Sequence, residues 1–137
     1  MTARLLMVLS ASILLTLGIM HLACTFWGTS LAPRDPALQV SMSRTSPVLT
    51  EETTMWRCWT GFNATHSMGL ISFGLIYGYL ALAHDQLLFR SPFLLLVGLA
   101  VLACLIVVCR LYFFSSPLIG VSISFVFYVF SIALSRG

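Results

Sequence analysis

Four apolar stretches alternate along the chain with shorter polar interruptions. A helix that crosses a hydrocarbon layer of about 30 Å needs about 20 predominantly apolar residues at 1.5 Å of rise each. On that measure the pattern predicts spans at about residues 5–27, 55–83, 93–114 and 117–134. The expected fold is therefore all-α, an integral membrane four-helix bundle forming a single domain over residues 1–137. The connections after the second and third spans are short, so neighbouring spans should run antiparallel.

Helix-start signals sharpen the boundaries. Ser91-Pro92 and Ser116-Pro117 each pair a capping serine with a proline at the first helical position, where its missing N–H costs nothing. The long connection, residues 28–50, carries Pro33, Arg34, Asp35, Pro36 and Pro47 among several Ser and Thr, and reads as irregular. Thr50 followed by Glu51 and Glu52 reads as a capped helix start with two acids at the positive dipole end. A second helix beginning there would be about 50 Å long, so its first turns would stand at or above the headgroups. Trp56 and Trp59 then fit an interfacial aromatic belt.

Composition supports this class. The chain is 59% hydrophobic and only 8% charged, whereas soluble domains are about 25% charged. It has seven Arg and no Lys, which excludes Schiff-base chemistry on a lysine. The four acids, Asp35, Glu51, Glu52 and Asp85, fall in loops or at helix ends, which leaves no intramembrane carboxylate for a proton relay or cation site. A net charge of +3, dispersed along the chain, excludes a nucleic-acid partner. Arg4 with the apolar run behind it resembles a secretory leader, and Leu22-Ala23-Cys24 a lipoprotein cleavage site. His21 fits that site poorly, so the segment is read as a span. Arginines lie on both sides, and the positive-inside count leaves orientation open.

At 100° per residue, Trp56, Trp59, Asn63, His66, Ser67, Gly74, Tyr77 and Ala81 share one face of the second span. Ser10, Leu14, Gly18, His21, Thr25 and Gly28 do so on the first, and Gly120, Ser124, Tyr128, Ser131 and Ser135 on the fourth. Such small and polar sides are the ordinary packing surfaces of membrane helices, and Gly74 with Gly78 forms a close-approach pair.

Asn63 and His66 ask for more, because each carries several hydrogen-bonding groups one helical turn from the other. A hydrogen bond from His66 to His21 or Thr25 would satisfy a purely structural role. A pocket is the alternative, its polar end formed by His21, Asn63 and His66 and its walls by Trp56, Trp59 and Tyr77. If it were catalytic, His66 would serve as base and Asn63 as donor to a developing oxyanion. Arg57 lies off this face; it either snorkels to phosphate, pairs with Glu51 or Glu52, or binds an anionic group.

His21 and His66 are also the one pair that could ligate haem or, with Cys24 and Cys58, a soft metal, although neither a haem-attachment motif nor a second Cys-x-x-Cys is present. Cys24 and Cys58 could instead form a disulfide in an oxidising compartment, while Cys104 and Cys109 read as apolar filler. Asn63-Ala64-Thr65 matches a glycosylation acceptor, but inside a span it is out of reach of that machinery.

Pro33-Arg34-Asp35-Pro36, Trp56, Gly61-Phe62-Asn63, His66-Ser67 and Gly69 together resemble a family of small four-helix bacterial membrane proteins without assigned function. The resemblance covers nearly the whole chain and implies an integral protein of the bacterial inner membrane. A weaker similarity, at the level of architecture, is to the MAPEG family of membrane glutathione transferases and eicosanoid enzymes. Asn63 matches that family's Asn, while His66 stands where it has Glu and Trp59 where it has Arg. That likeness implies a glutathione-dependent enzyme, a homotrimer with an intramembrane site between protomers.

Three functional expectations follow. The first is a membrane protein with an intramembrane pocket for a lipophilic small molecule such as a quinone, isoprenoid or fatty-acid derivative. The second is a non-catalytic accessory or scaffold subunit of a membrane complex, and the third the glutathione-dependent enzyme. No sequence motif specifies a cofactor.

Overall fold

The computed structural model describes residues 1–136 and is all-helical over them. Six helices follow in order: α1 (Thr2–Phe26), α2 (Pro36–Arg44), α3 (Met55–Ala83), α4 (Asp85–Arg90), α5 (Pro92–Tyr112) and α6 (Ser115–Ser135). Four of them, α1, α3, α5 and α6, are long and apolar enough to cross a membrane. With 21 residues each, α5 and α6 measure about 31 Å, close to the hydrocarbon thickness. The 29 residues of α3 give about 43 Å, more than the hydrocarbon requires.

Two expectations about helix starts need correction. The second span does not begin at Thr50. Thr50 Oγ1 accepts from the Glu52 N–H in a local turn, and the Met55 N–H is taken by the Thr45 carbonyl at 2.8 Å. The chain is thereby tied back to the end of α2, and Thr54 caps α3 by accepting from the Arg57 N–H. The long connection is also not wholly irregular. Asp35 Oδ1 accepts from the Ala37 N–H at 2.9 Å and Pro36 takes the first helical position, which together start α2. Ser91 caps α5 as expected, accepting from the Leu94 N–H. Ser116 caps nothing, because α6 already begins at Ser115.

The chain divides into two compact units. The first comprises Met1–Leu17 and the chain from Leu70 onward, and it contains the whole hydrophobic core. Its small and polar faces are consumed internally. Ser10 and Ser124 exchange hydrogen bonds, and Ser131 donates to the Ala3 carbonyl at 2.7 Å. At Gly74 a Cβ would stand 2.6 Å from Leu15 Cβ and 2.8 Å from the Ala11 carbonyl, so glycine is what lets these segments of α1 and α3 meet. Gly78 is not its equal, since its Cβ would find only an ordinary contact with Ala11 at 3.7 Å.

Three rings fill the centre of this unit. Phe73 stacks on Tyr77 at 4.4 Å, and both flank Tyr128. Tyr77 donates to the Leu94 carbonyl and Tyr128 to the Leu95 carbonyl, and Gly98 provides the room for both phenols. Arg4 reaches the Leu82 carbonyl at 2.7 Å, satisfying one of the orphan acceptors at the end of α3. Among the described residues, every buried side-chain polar atom has a hydrogen-bond partner.

The second unit is Gly18–Gly69: the last turns of α1, the connection with α2, and the first half of α3.

Candidate functional site

The polar residues of the second unit sit on facing helical segments because each helix repeats them at three- and four-residue steps. His21, Cys24 and Thr25 are carried by α1, and Trp56, Trp59, Thr60, Asn63 and His66 by α3. The contact that joins the two sets is a hydrogen bond between His21 Nε2 and Asn63 Oδ1 at 3.0 Å. A carboxamide oxygen only accepts, so His21 must carry its proton on Nε2. Asn63 in turn donates from Nδ2 to the Trp59 carbonyl at 2.8 Å, and the two bonds fix its carboxamide plane. The His66 ring meets His21 edge to face, with centroids 5.2 Å apart.

Beside this pair lies a cavity of about 60 Å³. Trp56, Trp59, Thr60 and Asn63 line it from α3, Cys24 and Thr25 from α1, and Gly28, Thr29, Leu31 and Ala32 from the connection, with Gln39 of α2 completing it. The Trp59 indole N–H donates to the Leu31 carbonyl at 3.0 Å, which holds the connection over α3. Gly28 adopts φ +130°, a conformation that favours glycine, at the turn where the chain leaves α1.

Two of the three threonine hydroxyls that line the cavity donate to backbone carbonyls. Thr25 donates to the His21 carbonyl at 2.8 Å and Thr60 to the Trp56 carbonyl at 3.0 Å. These two hydroxyls therefore keep only lone pairs for any further partner. Asn63 keeps one N–H beyond the one it gives to Trp59.

The structure thus brings His21, Asn63 and His66 together and sets Trp56, Trp59 and Asn63 in a cavity wall. It places two sequence-predicted residues elsewhere. Tyr77 is buried in the first unit, with its hydroxyl on the Leu94 carbonyl. Arg57 is exposed and does not line the cavity. His21 and His66 meet each other beside Asn63, but neither of them lines the cavity. Gln39, Thr60 and the Thr29–Ala32 stretch join the site without having been anticipated. Thr60 was readable from its place one turn before Asn63, and Gln39 would have required recognising α2.

The histidines touch each other edge to face at 5.2 Å, which leaves no space for a haem plane between them. Among the described residues, no three His, Cys, Asp or Glu side chains converge as a metal site. All four cysteines are free thiols, Cys24 and Cys58 included. Fold and site together define an all-α protein with four candidate membrane-spanning helices and a small uncharged cavity. Compared with known proteins, the chain matches no family model, no curated protein and no solved structure.

Proposed function

We propose that this chain is a small polytopic membrane protein that holds the polar end of a lipophilic molecule in the cavity of its second unit. The observation that carries the reading is Asn63, which lines a cavity walled by two indoles and whose carboxamide is fixed by His21 and by the Trp59 carbonyl with one N–H left over. Few polar groups, well oriented and set among aromatic walls, are what a binding site for an apolar molecule requires. Sites that enclose a whole drug-sized ligand run to about 300 Å³ or more. At about 60 Å³ this cavity admits only the head of such a molecule, so the chain of the ligand stays among the lipid tails. Binding is favoured over catalysis because no Asp, Glu or His lines the cavity.

Native mass spectrometry of the protein, gently extracted from its own membrane, tests this. The wild type should retain one lipophilic molecule per chain, and Asn63→Leu should release it. A wild-type protein that comes out bare would overturn the reading.

A second reading, the accessory subunit that packs against another membrane helix, has its own support. Arg57, Gly61, Thr65 and Gly69 recur at four-residue steps on an exposed face of α3, and nothing lies within 4 Å of where a Cβ at either glycine would stand. Gly61→Leu with Gly69→Leu would then strip the chain from a heteromeric complex while leaving it folded. Gly74 cannot serve in that test, because its surface is already used within the chain.

A further inference from the structure

We infer that the head held in this cavity is an uncharged hydroxyl, so that the ligand class is a long-chain primary alcohol; the inference rests on the pocket reading above. Charge is the first discriminator. None of the lining residues is Asp, Glu, Arg or His, so a carboxylate, phosphate or ammonium placed there would lose water and find no counter-charge.

Hydrogen-bond bookkeeping is the second. Thr25 and Thr60 have given their protons to the His21 and Trp56 carbonyls, and each presents only an acceptor. Asn63 has given one N–H to the Trp59 carbonyl and taken His21 Nε2–H on its oxygen, which leaves it a donor. With the Thr29 hydroxyl and the Gln39 carboxamide also in the lining, the cavity offers both donors and acceptors and suits a group that donates and accepts at once. A hydroxyl does both, whereas a ketone or ether can only accept and would leave the threonine lone pairs unanswered.

Size is the third. A cavity of about 60 Å³ admits a hydroxymethyl end and falls well short of the volume that encloses a drug-sized ligand. Trp56 and Trp59 supply flat apolar walls for the first methylenes.

The test uses the full chain in nanodiscs and four probes with the same tail: dodecanol, ionised dodecanoate, dodecylammonium and dodecane. Binding is followed by tryptophan fluorescence, since all three tryptophans lie in the second unit. Dodecanol should bind about tenfold or more tighter than each of the others. Thr60→Val, which removes the hydroxyl and keeps the shape, should weaken dodecanol by about three- to tenfold and leave dodecane unchanged. Asn63→Leu should do the same, and Thr60→Val keeps the test decisive if that variant misfolds. Equal or tighter binding of dodecanoate or dodecylammonium would overturn the neutral-head inference while sparing the pocket. Dodecane equal to dodecanol would overturn it too, because the head would not be read at all. Failure of all four to bind would take the pocket reading down with it.

Discussion

Ser10 and Ser124, 114 positions apart in the chain, each donate a hydroxyl hydrogen bond to the other's backbone carbonyl, at 2.8 and 2.9 Å, and their oxygens stand 2.9 Å apart. Both are fully buried, and neither helix could expose its hydroxyl to water instead. Interhelical polar pairs of this kind contribute about 0.6 kcal/mol on average in membrane proteins and up to about 1.7 kcal/mol. Ser10→Ala and Ser124→Ala should each cost about 1 kcal/mol, and because each hydroxyl donates to a backbone carbonyl that the other substitution leaves in place, the double variant should cost about the sum of the two. Reversible unfolding in mixed micelles would give the cycle. A double variant that cost no more than either single one would show that the two bonds form only together.

Gly98 and Gly61 should respond to the same substitution in opposite ways. A Cβ at Gly98 would collide with the Tyr128 hydroxyl and stand 2.7 Å from Tyr128 Cζ and 2.8 Å from Tyr77 Cζ. Gly98→Ala should therefore destabilise by about 1–3 kcal/mol through overpacking. Gly61 has open space around it, so Gly61→Ala should be neutral or stabilise α3 by up to about 1 kcal/mol from helix propensity. Thermal unfolding of the two variants in one detergent makes the comparison.

The tautomer of His21 follows from its partner. Nitrogen-15 spectra of histidine-labelled protein should show Nε2 protonated and Nδ1 bare at His21, and Asn63→Leu should disturb that resonance more than the one from His84. An Nδ1–H tautomer would require the Asn63 carboxamide to be turned over, and the donor inferred for the cavity would become an acceptor.

Asp35→Ala should loosen α2 and leave the spans unchanged. Loss of the Asp35 Oδ1 bond to the Ala37 N–H removes the cap of a nine-residue helix with no buried residue, at a cost of about 1 kcal/mol. Hydrogen exchange should rise across 36–44 and remain slow in α5. Gln39 would then leave the cavity wall more often, weakening binding there.

The spans were legible because length and hydropathy alone decide them, and the observed helices begin and end within a few residues of the expected bounds. The packing faces were legible too: Ser10, Leu14, Ser67, Ser124, Tyr128 and Ser131 all came from the small and polar stripes and all are buried. Helix α2 was missed although Asp35-Pro36 is the same device as Ser91-Pro92. The difference is that α5 continues into an apolar run, while Pro36–Arg44 is polar enough to read as connection. Within the site, periodicity placed His21, Asn63 and His66 together but could not say which of them would bond. That was settled by Asn63 Oδ1 taking the His21 proton. Tyr77 shares the face of Asn63, yet it lies about four turns further along α3, and angular position alone carries no information about depth.

Helix α5 is the most apolar of the four, and from Pro92 to Val108 it has no polar side chain other than the thiol of Cys104. Such a smooth rod has little of its own to choose one azimuth over another, since any side of it satisfies lipid and neighbours about equally well. Tyr77 and Tyr128 remove that indifference. Approaching from α3 and α6, they engage the carbonyls of two successive residues, Leu94 and Leu95, which are placed about 100° apart around the rod. Rotation that favoured one phenol would pull the other off its acceptor, and the bare side of Gly98 is the notch that lets both reach in. The orientation of the helix with the least chemistry is thus keyed from outside, by its neighbours.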